Sequence, residues 1–210
     1  MTTSLLRRTS AVAAVTLALS FGLAACGSDD DKDSDAKASD NSSKMSDDAG
    51  ADTFGPGCKL IPADGAGSFN GMATAPVATA ASANPLLKTL VAAVTAADLV
   101  DTLNSADALT VFAPTDDAFK KIPEKDLNGI LADKALLTKI LTHHVVAGQL
   151  SPDELAGEHE TLAKDTITVE GSGDSFTVDN GETPAAVLCG NIPTANATVY
   201  VIDSVLTPAA

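Results

Sequence analysis

Near residue 160 the spacing of apolar residues changes from helical to alternating. That change restricts the chain to helices packed on a sheet made mostly of later strands. Upstream, "NPLLKTLVAAV" puts Leu87, Leu90, Val91 and Val94 on one stripe, with Asn84 as a cap and Pro85 in the first helical position. The phase then slips. Ala96, Leu99, Val100 and Leu103 form a second stripe, and Thr95 and Asp98 have capping spacing at the break, so two successive helices are predicted. "APTDDAFKKIP" predicts a short helix capped by Thr115, and "DKALLTKILTHH" one capped by Asp133 with Leu137, Ile140, Leu141 and His144 aligned. Ser151 and Glu154 have capping-box spacing around Pro152. "ALTVF", "TITVE", "SFTVD", "AAVLC" and "TVYVIDSVL" read as strands, with turns at "EGSGDS" and "NGE". No internal repeat is visible, and the pattern predicts one α+β domain with a largely antiparallel sheet.

Aromatic residues make up 3% of the chain and Trp is absent, so the core is expected to be built from Ala, Val, Leu and Ile. Acidic residues outnumber basic ones, 28 to 13, and the only arginines are Arg7 and Arg8. Nucleic-acid affinity rests on cations that displace counterions from phosphates, so a nucleic-acid partner is not expected.

The N-terminus has its own logic. Arg7 and Arg8 precede "AVAAVTLALSFGLA", an apolar stretch too short to span a bilayer permanently, and residues 1–25 read as an export signal. The stretch ends in Leu23, Ala24, Ala25 and Cys26, which resembles the bacterial lipobox, whose cysteine thiol carries diacylglycerol. Two or more fatty chains anchor stably without a transmembrane helix. The expected location is the extracytoplasmic face of a bacterial cell membrane. Residues 26–53, rich in Asp, Ser, Ala and Lys, cannot bury enough surface to offset folding entropy and are expected to form a disordered tether. The aspartates there lack the spacing, turn glycine and terminal glutamate of a calcium loop.

Three cysteines are an odd number for an exported chain. Lipidation of Cys26 leaves Cys58 and Cys189, which an oxidising compartment is expected to join. Neither has a neighbouring Cys or His for a metal site or a Cys-x-x-Cys redox pair.

Three stretches together carry a family resemblance. "TVFAPTDDAF", "HHVVAGQL" and "TVYVIDSVLTP" resemble, in order and spacing, the signature segments of the fasciclin (FAS1) family, over residues 73–208. "FGPGC" and "CGNIPTANATVYVIDSVL" are similar to the mycobacterial secreted antigens and surface lipoproteins within that family. The resemblance implies a seven-stranded, wedge-shaped β-sandwich with several helices. It also implies a disulfide between the N-terminal arm, residues 54–72, and the region before the last strand, here Cys58 to Cys189. His143 stands where the family's Tyr-His pair has tyrosine.

His143 and His144 are the tempting reactive pair, but adjacent residues diverge, and His144 on the apolar stripe fits a structural histidine better than a ligand or base. His159 is expected at the surface. Asp116 and Asp117 follow a helix start, where carboxylates are favourable. "NAT" at Asn196 fits a glycosylation pattern but reads as a turn in a bacterial chain. With no nucleophile elbow or phosphate loop, neither enzyme activity nor a cofactor is expected. The expected function is a monomeric, non-catalytic adhesion or protein-interaction module, anchored in the membrane and contacting an unidentified protein or cell-envelope component. The rival is a carrier of an apolar small molecule such as a lipid, which requires an apolar cavity between helices and sheet.

Overall fold

The computed structural model describes residues 48–179 and 184–208. The export signal, the lipobox at residues 23–26, tether residues 26–47 and the "NGE" turn lie outside the described residues.

The helices are α1 (Phe69–Ala73), α2 (Val77–Ala83), α3 (Lys88–Ala96), α4 (Val100–Ser105), α5 (Asp116–Lys120), α6 (Glu124–Ala132), α7 (Lys134–His143) and α8 (Pro152–Leu155). The strands are β1 (Leu109–Pro114), β2 (Val145–Ala147), β3 (Gly157–Glu160), β4 (Thr166–Ser172), β5 (Ser175–Asp179), β6 (Ala185–Pro193) and β7 (Ala197–Ile202). They form one seven-stranded sheet in the order β2-β1-β7-β6-β5-β4-β3, antiparallel except where β1 runs parallel to β7.

The sheet folds over on itself. Its end strands approach through a bridge between Val146 and Thr161, and an inner core that includes Phe112, Val146, Ile167, Val178, Tyr200 and Ile202 fills the space between the layers. The helices cover the other face of β1 and β7 with a second core that includes Leu90, Val94, Val111, Leu141, Val199 and Val201. Side chains alternate across a strand, so β1 gives Phe112 to one core and Val111 to the other and is buried along its whole length. Strand β6 serves both cores differently. Val187 faces the inner core and Cys189, two residues on, faces the helical one. The pairing with β7 shifts register between them, and this extra residue turns the strand over.

The core is not purely aliphatic. Four of the seven aromatic residues gather in the inner core, with ring centroids 5.3 Å apart for Phe54 and Phe176, 6.2 Å for Phe54 and Tyr200, and 5.8 Å for Phe112 and Tyr200. Phe54 arrives from the N-terminal arm, which lies along β6. The Gly57 N–H donates to the Leu188 carbonyl at 2.7 Å, the Gly190 N–H to that of Phe54 at 2.8 Å, and Cys58 is disulfide-bonded to Cys189. A Cβ on Gly190 would lie 2.3 Å from the Phe54 ring, so glycine is needed where the ring crosses the strand.

Several boundaries differ from the sequence expectation. Residues 48–53, expected in the tether, form turns bonded to the domain: the Ala49 N–H donates to Asn70 Oδ1 and Asn191 Nδ2 to the Asp52 carbonyl. Asn84 is buried and holds a turn by accepting from the Leu86 N–H, and α3 starts at Lys88. The α3 N-terminus is capped from a distance by Asp116, whose Oδ1 accepts from the Thr89 N–H at 2.7 Å. At the break after α3, Asp98 takes a left-handed φ of 57°, while the Thr95 hydroxyl bonds back to the Val91 carbonyl and caps nothing. Thr115 and Asp133 do cap α5 and α7, accepting from the Ala118 N–H and from the Ala135 and Leu136 N–H groups.

Helix α2 follows Pro76, which has no capping side chain, and is capped from elsewhere. Asn196 Oδ1 accepts from the Val77 N–H at 2.9 Å, and Asn104 Oδ1 from the Ala78 N–H at 3.0 Å. Asn196 Nδ2 donates to the Leu103 and Ala106 carbonyls, both at 2.8 Å, so one side chain ties α2, α4 and the start of β7 together. Asn196→Ala is expected to cost about 2 kcal/mol in urea unfolding, because it strands three backbone groups. A loss under about 0.5 kcal/mol would show that water replaces the amide.

Candidate functional site

The two adjacent histidines point apart, with rings at 89° to each other and centroids 6.3 Å apart. His144 ends α7. Its Nδ1–H donates to the Ile140 carbonyl at 2.8 Å, and its Nε2 accepts from the Leu206 N–H at 2.9 Å. Both nitrogens are therefore engaged, which fixes the tautomer and leaves no free lone pair for a metal. Burial, outweighing the hydrogen bond to Ile140, pushes the ring down to about 4 and keeps it neutral. In this position it fastens the end of α7 to the C-terminal segment.

His143 is also buried, but its Nδ1 meets Asp165 Oδ1 at 2.7 Å. The same carboxylate oxygen accepts from the Thr161 hydroxyl. Burial raises the Asp165 carboxyl, but the hydrogen bonds from Thr161 and His143 outweigh it and hold the group below its ordinary range. Nε2 of His143 has no hydrogen-bond partner among the described residues. The network ties α7 to the loop at residues 161–165, where the Leu162 N–H donates to the Val145 carbonyl at 2.8 Å. His159 is half-buried on edge strand β3, where its Nε2 meets the Leu155 carbonyl at 2.8 Å.

The other singled-out residues are bound up in structure. Asp116 caps α3, and Asp117 pairs with Lys120 at 2.7 Å on the surface. Among the described residues, no group of three or more His, Cys, Asp or Glu side chains could hold a metal ion. Among the described residues, no helix is long and apolar enough to cross a membrane.

A cavity of about 70 Å³ lies between α3, α4, the end of α7 and strand β1. Leu90, Val94, Val111, Phe112 and Leu141 form its interior, and exposed Leu162 stands at its rim. Sequence reasoning anticipated an apolar space between helices and sheet only as a condition for the carrier reading. Its rim residue escaped notice, because one leucine in a polar loop carries no periodic signal.

The family model described as Fasciclin domain matches residues 85–208. The chain is 48% identical over 170 residues to the immunogenic protein MPB70 of Mycobacterium bovis, covering 77% of this chain and 86% of that one. It is 47% identical over 171 residues to the cell surface glycolipoprotein MPT83 of Mycobacterium tuberculosis, covering 78% of this chain and 76% of the relative. A solved FAS1 domain pair from the insect cell adhesion molecule fasciclin I superposes with a TM-score of 0.49 at 23% identity, covering 58% of this chain and 45% of that one.

Proposed function

The chain belongs to the fasciclin family, and from that premise we propose that it is an exported, lipid-anchored interaction module presented at the bacterial cell surface. In this reading it is a non-catalytic member of the family, whose relatives include a protein described as immunogenic. The observation that carries the anchored reading is the run Leu23, Ala24, Ala25 and Cys26 behind a short apolar segment, in a chain 47% identical to a protein described as a cell surface glycolipoprotein. Acyl chains on Cys26 hold the protein, and the acidic stretch that follows gives the domain reach. The Cys58–Cys189 bridge and the inserted Phe54 ring bind the arm, residues 54–72, to the domain. Adhesion to a protein or envelope component is the role this arrangement serves. The cavity is far smaller than the roughly 300–1,000 Å³ of sites that enclose whole small molecules, which disfavours a carrier that engulfs its entire ligand.

Cys26→Ala is expected to move the protein from the membrane to the soluble fraction and to abolish labelling by radioactive palmitate. Continued membrane association of the variant would remove the anchored reading. Cross-linking on living cells, with the captured species identified by mass spectrometry, tests the adhesive role. Recovery of the uncross-linked protein alone under conditions that capture a known surface complex would count against it.

A further inference from the structure

We propose that the cavity beneath Leu162 is a binding site for the methyl end of an acyl chain. Among the described residues, the polar side chains deep in its wall are already committed, and Thr102, the other polar one, is exposed. Both nitrogens of His144 are hydrogen-bonded, and the Thr142 hydroxyl donates to the Thr138 carbonyl at 2.8 Å. A ligand group carrying N–H or O–H would enter without a partner and lose its hydration, whereas a hydrocarbon end has nothing to lose. Apolar cavities take apolar guests.

Volume sets how much of the chain enters. A void of about 150 Å³ accepts benzene, so about 70 Å³ has room for roughly three carbons. The rest of the chain must leave across the rim, and the rim suits it. Val91, Val100 and Leu103 are half-buried there, Leu162 is 39% exposed, and among the described residues no charged side chain lines the opening. Leu162 is held over the opening by its bond to Val145 and by the loop that Asp165 fastens to His143. The site thus recognises a chain end and leaves the headgroup in solvent. This inference goes beyond the surface-module reading and does not depend on the anchor.

The test uses the full exported chain carrying Cys26→Ala, labelled at its methyl groups and titrated with dodecanoate below its micelle concentration. Nuclear Overhauser contacts are expected from the terminal methyl of dodecanoate to Val94, Val111 and Leu141. Dodecanedioate, equal in length but charged at both ends, is expected to bind at least about fifty-fold more weakly, the factor set by burial of three methylenes. Ala81→Leu, which fills the cavity from α2, and Leu162→Asp, which charges its rim, are each expected to weaken dodecanoate about ten-fold or more. Leu162 is exposed, so its variant keeps the test alive should Ala81→Leu misfold. Contacts confined to another surface, equal binding of the two acids, or no binding up to the micelle concentration would each overturn the proposal. The acylated protein purified from membranes separates the sources: a site closed to dodecanoate there marks the protein's own acyl chain as occupant, and an open one marks a separate lipid.

Discussion

Replacing Cys58 and Cys189 together by alanine is expected to lower the free energy of unfolding by about 4–5 kcal/mol, a large part of the stability of a domain this size. The bridge links residues 131 apart in sequence, and closing so long a loop removes much of the freedom of the unfolded chain. Its position in the fold matters as well. The arm it fastens supplies Phe54, one of the four clustered aromatic rings, and Gly190 leaves the ring its space. Urea midpoints of the oxidised protein, the reduced protein and the double variant provide the check. The last two are expected to agree with each other and fall well below the first. A double variant within about 1 kcal/mol of the oxidised protein would show that the loop is already confined in the unfolded state.

The second large effect is acid sensitivity carried by His144. In the unfolded chain its imidazole takes a proton as pH falls through about 6.5, whereas the folded ring refuses it until about 4. Between those values the unfolded state binds more protons, so stability falls as pH falls and levels off below about 4. The full loss is on the order of 3 kcal/mol. Asp165 and Asp203 act in a lower window. Burial raises both carboxyls, but hydrogen bonds, from Thr161 and His143 for Asp165 and from Lys121 for Asp203, hold both below 3.8. The stability they contribute is present above 3.8 and is lost only as pH falls below it. His144→Gln is less stable near neutral pH, where the neutral ring makes both hydrogen bonds. The decisive reading is the slope: the difference between wild type and variant should shrink from pH 6.5 to 4. A constant difference across that range would mean that His144 takes up its proton normally in the folded protein.

Legibility in the sequence followed how local the forces were. The stripes of α3, α4 and α7 and the alternation of β4, β5 and β7 were readable because each element carries its own apolar face. Helix α2, Val77–Ala83, was missed: alanines alternate with Thr and Ser without a strong stripe, and its caps come from Asn104 and Asn196. Helix α6, Glu124–Ala132, was missed because it has no fully buried residue and contains Gly129. Strand β3, "GEHE", has little strand propensity and exists because it pairs with β4, with charged Glu158 and Glu160 exposed on an edge. The divergence of His143 and His144 followed from their adjacency, but no pattern assigned Asp165 to one ring and Leu206 to the other.

What the chain determines by itself is the class of element at most positions and the export and anchoring expectation, because periodicity, capping and a lipobox act between near neighbours. Only the tertiary structure decided that β1 runs parallel to β7, that β6 turns over between two cores, that a far-off asparagine caps α2, and that an apolar cavity lies beside Leu162. Each of these depends on groups distant in sequence meeting in space, where close packing and the need to satisfy buried hydrogen-bonding groups select among arrangements that the local pattern leaves equal.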